Sequence, residues 1–263
     1  MNSISFPKLG LEFNINPMAA KIPVLGKIHW YGIIIAIGIV LAFLFCSYIA
    51  KREDVSTDTL CDTLIYSLPV AVIFARAYYV IFAWDSYKDN YADIFKIWEG
   101  GIAIYGAIIG AAIAAGTYFK IKKLNVLKMF DICCLGMMIG QIVGRWGNFV
   151  NAEAFGGYCS YFWGMSINGG HCVHPTFLYE SLWNLVGFII LAKLHKNRPF
   201  YGFTFFSYVT WYGVGRFFIE GLRMDSLYLG SIRVSQLLAF LCVIMGICAI
   251  SYLSEKSSKN KEK

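Results

Sequence analysis

Seven apolar runs of about 20 residues constrain this chain more than any other feature, because that length at helical rise crosses the hydrocarbon core of a bilayer. They fall at roughly 29–50, 60–83, 102–121, 127–147, 175–194, 201–221 and 233–253. Backbone N–H and C=O groups in lipid must pair within their own segment, and no ten-residue alternation points to a barrel, so each run is expected to be a helix. Composition agrees: 58% of the 263 residues are apolar and 15% charged, far from the usage of a soluble domain. The fold class expected is all-α, a single polytopic membrane domain over residues 1–263 with about seven transmembrane helices.

Residues 1–27 hold no apolar core of a secretory signal, and the run from His29 is too long and lacks a small-residue cleavage site, so it reads as a retained helix. Lysine and arginine in alternate loops set the orientation. With the N-terminus outside, the inner loops and tail hold 13 of them, including Lys51, Arg52, Lys120, Lys128, Arg198 and Lys263, against seven outside. The N-terminus is therefore expected outside and the C-terminus in the cytoplasm. Most of the net charge of +7 is then a topology signal and a contact with anionic head groups, and no nucleic-acid partner is needed to explain it.

Two outward segments, 84–100 and 150–174, are long enough to form structure beyond the bilayer. The first, with YADIFKIWEGG, reads as an amphipathic arm. The second, rich in glycine, cysteine and aromatic residues, reads as a small irregular head. Small residues recur every four positions at Gly106, Gly110 and Ala114 and again at Gly136, Gly140 and Gly144, the spacing of close helix packing. Residues 254–263 read as a solvated, disordered cytoplasmic tail. Six of the eight cysteines lie in or beside apolar runs, where a thiol behaves as a small hydrophobe. Cys159 and Cys172 share the 150–174 segment with His171 and His174; the spacing fits no standard zinc pattern, no metal is expected, and a disulfide and free thiols remain open.

Ionisable groups inside a membrane are costly, so each is a functional candidate, with a structural ion pair as the alternative. With the topology above they gather in one outer layer: His29 and Tyr31 begin helix 1, Arg76 lies in helix 2, Tyr105 begins helix 3, Arg145 ends helix 4, Glu180 begins helix 5, and Arg216, Glu220 and Arg223 end helix 6. Tyr212, Arg216 and Glu220 follow at i, i+4 and i+8, along one helical face. The segment GRWGNFVNAEAFG packs Arg145, Asn148, Asn151, Glu153 and Gly156 into a donor-rich turn that can approach an anion closely. Arginine suits a phosphate because its planar fork gives two parallel hydrogen bonds. This chemistry points to an anionic lipid or solute at the outer head-group level and names no reaction.

The same segment resembles the signature of the bacterial prolipoprotein diacylglyceryl transferases, with Arg145, Asn148, Asn151, Glu153 and Gly156 at its positions. The resemblance runs in order through HWYG (29–32), WEGGIAIYG (98–106), HPTFLYE (174–180) and YGVGRFFIEGLR (212–223). It implies a seven-helix inner-membrane enzyme that moves the diacylglyceryl group of phosphatidylglycerol onto the lipobox cysteine of a preprolipoprotein, forms a thioether and releases glycerol phosphate. Partners would be phosphatidylglycerol, the preprolipoprotein and the bilayer, with no cofactor. The catalytic candidates are Arg145, Arg216, Tyr105, Glu153 and Glu220; Arg145, Asn148, Asn151, Gly156, His29, Tyr31, Tyr212 and Arg223 would bind substrate. This chain departs from some members in one respect: Tyr105 stands where they have a histidine regarded as catalytic, so a histidine there cannot be essential here. The rival readings are a transporter of an anionic solute and a lipid-binding scaffold; no second half echoes the first, as transporter repeats would.

Overall fold

A computed structural model describes all residues except 23–25, 225, 227, 231, 262 and 263. It is mostly helical: α1 (Trp30–Arg52), α2 (Thr57–Phe82), α3 (Ile104–Ile121), α4 (Val126–Asn151), α5 (Thr176–His195), α6 (Phe203–Leu222) and α7 (Val234–Lys261). Among the described residues, six of these are long and apolar enough to cross a membrane. The exception, α6, has the length, but Tyr208, Thr210, Tyr212, Arg216 and Glu220 dilute its apolar character. The tail departs from the disorder expected of 254–263: α7 stays helical to Lys261, helped by the i,i+4 pair of Glu255 and Lys259 at 2.6 Å, while 262 and 263 lie outside the described residues.

Backbone contacts divide the chain into two units, Met1–Cys46 with Phe130–Lys263, and Ser47–Met129. In the first, short strands precede and interrupt the helices. β1 (Asn2–Phe6) pairs antiparallel with β2 (Leu11–Ile15), and β3 (Met18–Ile22) with β4 (Gly26–His29). From the 150–174 segment come β5 (Met165–Ile167) and β6 (Cys172–Val173), giving a four-stranded sheet in the order β2-β1-β5-β6. That segment is thus partly ordered as sheet where an irregular head is expected. Alternation drives the pairing: Ile4 and Phe6 point to one face of β1 and bury against Phe149, Met165 and Phe177, which seats the sheet on the end of α4 and the start of α5.

Close backbone approach organises the helices of this unit. Gly136 faces Ala42 and Cys46 of α1, so the small-residue seam of α4 lies on α1. Helices α5 and α6 lock reciprocally: Trp183 sits on Gly215, Trp211 sits on Gly187, and each indole N–H donates to the other tryptophan's backbone carbonyl at 3.0 Å. The rings stack with centroids 4.5 Å apart. At the far end of α4, the fully buried carboxylate of Asp131 accepts from Gly202 N at 2.7 Å and Phe205 N at 2.8 Å, capping α6. Arg198 Nε lies 3.3 Å from the same carboxylate.

In the second unit, Gly106 and Gly110 of α3 press on Phe74, Ala75 and Tyr78 of α2, as their four-residue spacing predicts. The 84–100 arm is a succession of 3-10 turns, Trp84–Ser86, Tyr91–Phe95 and Ile97–Glu99. Arg76 explains why no longer helix forms there. Its buried guanidinium draws the carbonyls of Asp93, Ile94, Gly100 and Gly101 at 2.6–2.8 Å, taking acceptors that a helix would use.

Candidate active site

The first unit brings most of the sequence-derived candidates together around one side chain that the sequence does not single out as a site residue. Glu180, in the first turns of α5, is 4% exposed. Arg145 Nη2 lies 2.5 Å from its Oε2, and Arg216 Nη1 and Arg223 Nη1 lie 3.0 and 3.4 Å from its Oε1. Three arginines from the ends of α4 and α6 therefore converge on one carboxylate. Arg216 is held a second time: its Nη2 lies 2.5 Å from Oε2 of Glu220, one turn on and 2% exposed. Arg233 donates to the backbone carbonyl of Glu220 rather than to its carboxylate.

Three guanidiniums, those of Arg145, Arg216 and Arg223, thus gather around the buried carboxylates of Glu180 and Glu220. Guanidinium forks held this close together suit a bound anion such as a phosphate. A small cavity lined by Glu180, Trp183, Asn184, Tyr212, Gly215, Arg216 and Ile219 opens between α5 and α6 beside these groups. Tyr212, one turn before Arg216, thus borders the arginines, as the i, i+4 spacing predicts.

Where α4 ends, the chain turns back on itself. Asn148 Nδ2 and Asn151 Nδ2 donate to Oε1 of Glu153 at 3.0 and 3.4 Å, and Arg145 Nη1 donates to Asn148 Oδ1 at 3.4 Å. A relay of amides thus joins the exposed Glu153 to the arginine cluster. The turn is held in the left-handed region at two alanines, Ala152 (φ 54°) and Ala154 (φ 57°), a costly conformation for a residue with a Cβ. Thr176 clamps it by donating to the Ala154 carbonyl. Gly156 is a packing position: a Cβ there would come within 2.7 Å of His174 Cβ and 2.9 Å of the Leu222 carbonyl, so only glycine lets this loop pass between α5 and α6.

Tyr31 packs its ring on Gly147 of α4, two residues from Arg145, while His29 ends β4 at the surface. His174 shares a 3.2 Å hydrogen bond with the Tyr179 hydroxyl, and partial burial pulls its imidazole below the ordinary histidine range. Tyr105 and Arg76 belong to the second unit: Tyr105 lies with its ring centroid 6.3 Å from that of Tyr78, and Arg76 is committed to the carbonyls of the arm. Sequence reasoning placed Glu180 in the polar layer but missed its role as the hub. Its signals are its place at the end of the HPTFLYE segment and a lone carboxylate in the first turns of a largely apolar helix.

A family model described as prolipoprotein diacylglyceryl transferase matches residues 17–252. Among curated relatives, the phosphatidylglycerol--prolipoprotein diacylglyceryl transferase of Clostridioides difficile is 46% identical over 233 residues, 89% of this chain and 94% of the relative. The protein of the same name from Listeria innocua is 44% identical over 250 residues, 90% of each chain. That of Finegoldia magna is 45% identical over 237 residues, 90% of this chain and 95% of the relative. With its helices, its arginine cluster and its signature turn in the positions described, this chain belongs to the prolipoprotein diacylglyceryl transferase family.

Proposed function

We propose that this protein transfers the diacylglyceryl group of phosphatidylglycerol to the thiol of a lipobox cysteine in a preprolipoprotein, in a bacterial cell membrane with the site toward the outer face. The observation that carries the reading is the convergence of Arg145, Arg216 and Arg223 on Glu180, a cluster of guanidinium forks suited to a phosphate. The substrate thiolate attacks the glycerol carbon that bears the phosphoester oxygen. A sulfur–carbon bond forms, the carbon–oxygen bond breaks, and glycerol phosphate leaves with the bonding electrons and a second negative charge.

Arg145 and Arg216 stabilise that developing charge, and because Glu180 and Glu220 fix their positions, little reorganisation is needed as the bond breaks. Glu220, buried and held by Arg216, is a positioning residue. Glu153 is exposed and oriented by Asn148 and Asn151, which fits it to take the thiol proton. Arg223 and Tyr212 border the phosphate, Tyr31 and His29 stand toward the N-terminal end of α1 for the glycerol head, and the lipid tails stay in the bilayer. Tyr105 is the second unit's candidate, either for proton transfer or for positioning lipid by its hydroxyl.

The test is transfer of labelled diacylglyceryl from phosphatidylglycerol to a lipobox peptide by the purified protein. The native chain is expected to be active, and Arg145→Ala to lose activity by about a hundredfold or more while still folded. A Tyr105→Phe rate near that of the native chain assigns its hydroxyl to positioning, and a comparable collapse assigns it to proton transfer. A native chain that transfers nothing to a competent peptide overturns the reading.

A further inference from the structure

We propose that Cys159 and Cys172 form a cross-strand disulfide when the protein meets an oxidising disulfide, stapling the 157–174 hairpin that joins the signature turn to α5. The register carries the inference. His174 N donates to Gly157 O at 3.0 Å, Tyr158 bridges Val173 antiparallel, and Cys159 N donates to Cys172 O at 3.0 Å. Those steps place Gly157 opposite His174, Tyr158 opposite Val173, and Cys159 directly opposite Cys172.

Residues directly opposite across antiparallel strands share a face, with Cα atoms about 4.5–5.5 Å apart, inside the span of about 4.4–6.8 Å that a disulfide bridges. The side chains do share a face here. A Cβ built on Gly164 would lie 3.1 Å from Cys159 Sγ and 3.3 Å from Cys172 Cβ, so a single point beside Gly164 touches both. The neighbouring imidazoles are engaged elsewhere: His171 with the Tyr158 hydroxyl at 2.9 Å and His174 with the Tyr179 hydroxyl at 3.2 Å. The other six cysteines lie in helices outside this hairpin.

Accessibility sets the order of events. Cys172 is partly exposed and Cys159 is buried. The Cys172 thiolate attacks a small-molecule disulfide such as oxidised glutathione, forming a mixed disulfide and expelling one thiolate. The Cys159 thiol, having lost its proton, then attacks the Cys172 sulfur and expels the second thiol. Two protein thiols are oxidised and one external disulfide is reduced. Burial of Cys159 is no obstacle, because its step is intramolecular. The outer face proposed above is the side on which such bonds persist in cells, but the bond itself does not depend on the transfer reading.

The purified full chain, folded in detergent, is treated with oxidised glutathione, capped with N-ethylmaleimide and peptide-mapped. The expected result is a linked Cys159–Cys172 peptide in most molecules, the loss of two maleimide adducts, and recovery of both on reduction. In Cys159→Ser, Cys172 should retain glutathione, the trapped first intermediate. Maleimide on both cysteines after oxidation, glutathione persisting on Cys172 of the native chain, or a link that forms only after unfolding in dodecyl sulfate would each overturn the proposal.

Discussion

Two buried ionic clusters stand at opposite ends of α4, about 20 Å apart at helical rise, and they are built on different plans. At the Asp131 end one carboxylate is spent on two backbone N–H groups at the start of α6 and on the guanidinium of Arg198. At the Glu180 end one carboxylate is shared by three guanidiniums. The first arrangement fixes the start of α6. The second gathers arginines from two helices within reach of one another, which is what the proposed phosphate site requires.

The comparison can be broken most sharply at Arg216. Arg216→Ala made together with Glu220→Gln should lower the transfer rate by about a hundredfold or more, with the melting temperature little changed, because the two partners are removed together and Glu180 keeps Arg145 and Arg223; a melting collapse equal to that of an Asp131 variant would make the two clusters equivalent. Asp131→Ala should do the reverse. Loss of a buried carboxylate that caps α6 and pairs Arg198 should cost about 3 kcal/mol of stability, seen as a lowered unfolding midpoint in detergent, while activity per folded molecule is kept. The smallest effect concerns His174. Burial depresses its imidazole below the ordinary value of 6.5, so the neutral form is favoured in the folded protein and stability is complete above that value. It is lost as pH falls through the depressed folded value, where the partly buried ring must take a proton. Acidification from about pH 7.5 to about pH 5.5 should therefore lower the melting temperature of the native chain more than that of His174→Gln.

The helices were legible because lipid demands long uninterrupted apolar runs, and the observed ends of α2 to α6 fall within a few residues of those read from hydropathy. The signature turn was legible for a different reason: Arg145, Asn148, Asn151 and Glu153 are close in sequence, and their interactions are local. The N-terminal sheet was not. Its strands are five residues or fewer, and β1 finds its partner β5 some 160 residues later, with Ile4 opposite Ile167. No local pattern encodes that pairing. The hub was hidden likewise, since Glu180 acquires its three arginines from two other helices. Arg76 shows the converse: an intramembrane arginine read into the functional layer donates to four backbone carbonyls, three in the arm and that of Gly101 just after it.

The exchange of tryptophans between α5 and α6 bears on motion. Each indole fills the hollow left by the other helix's glycine and donates to the other tryptophan's carbonyl, so neither contact can loosen without the other. Sliding one helix past the other would break two hydrogen bonds and drive two rings into backbone at once, an all-or-none event. Glu180 and Arg216 flank this latch on its two helices. A slide of α5 against α6 that changed their separation would have to break this latch first, as a jig must be unclamped before the gap between its tools can change.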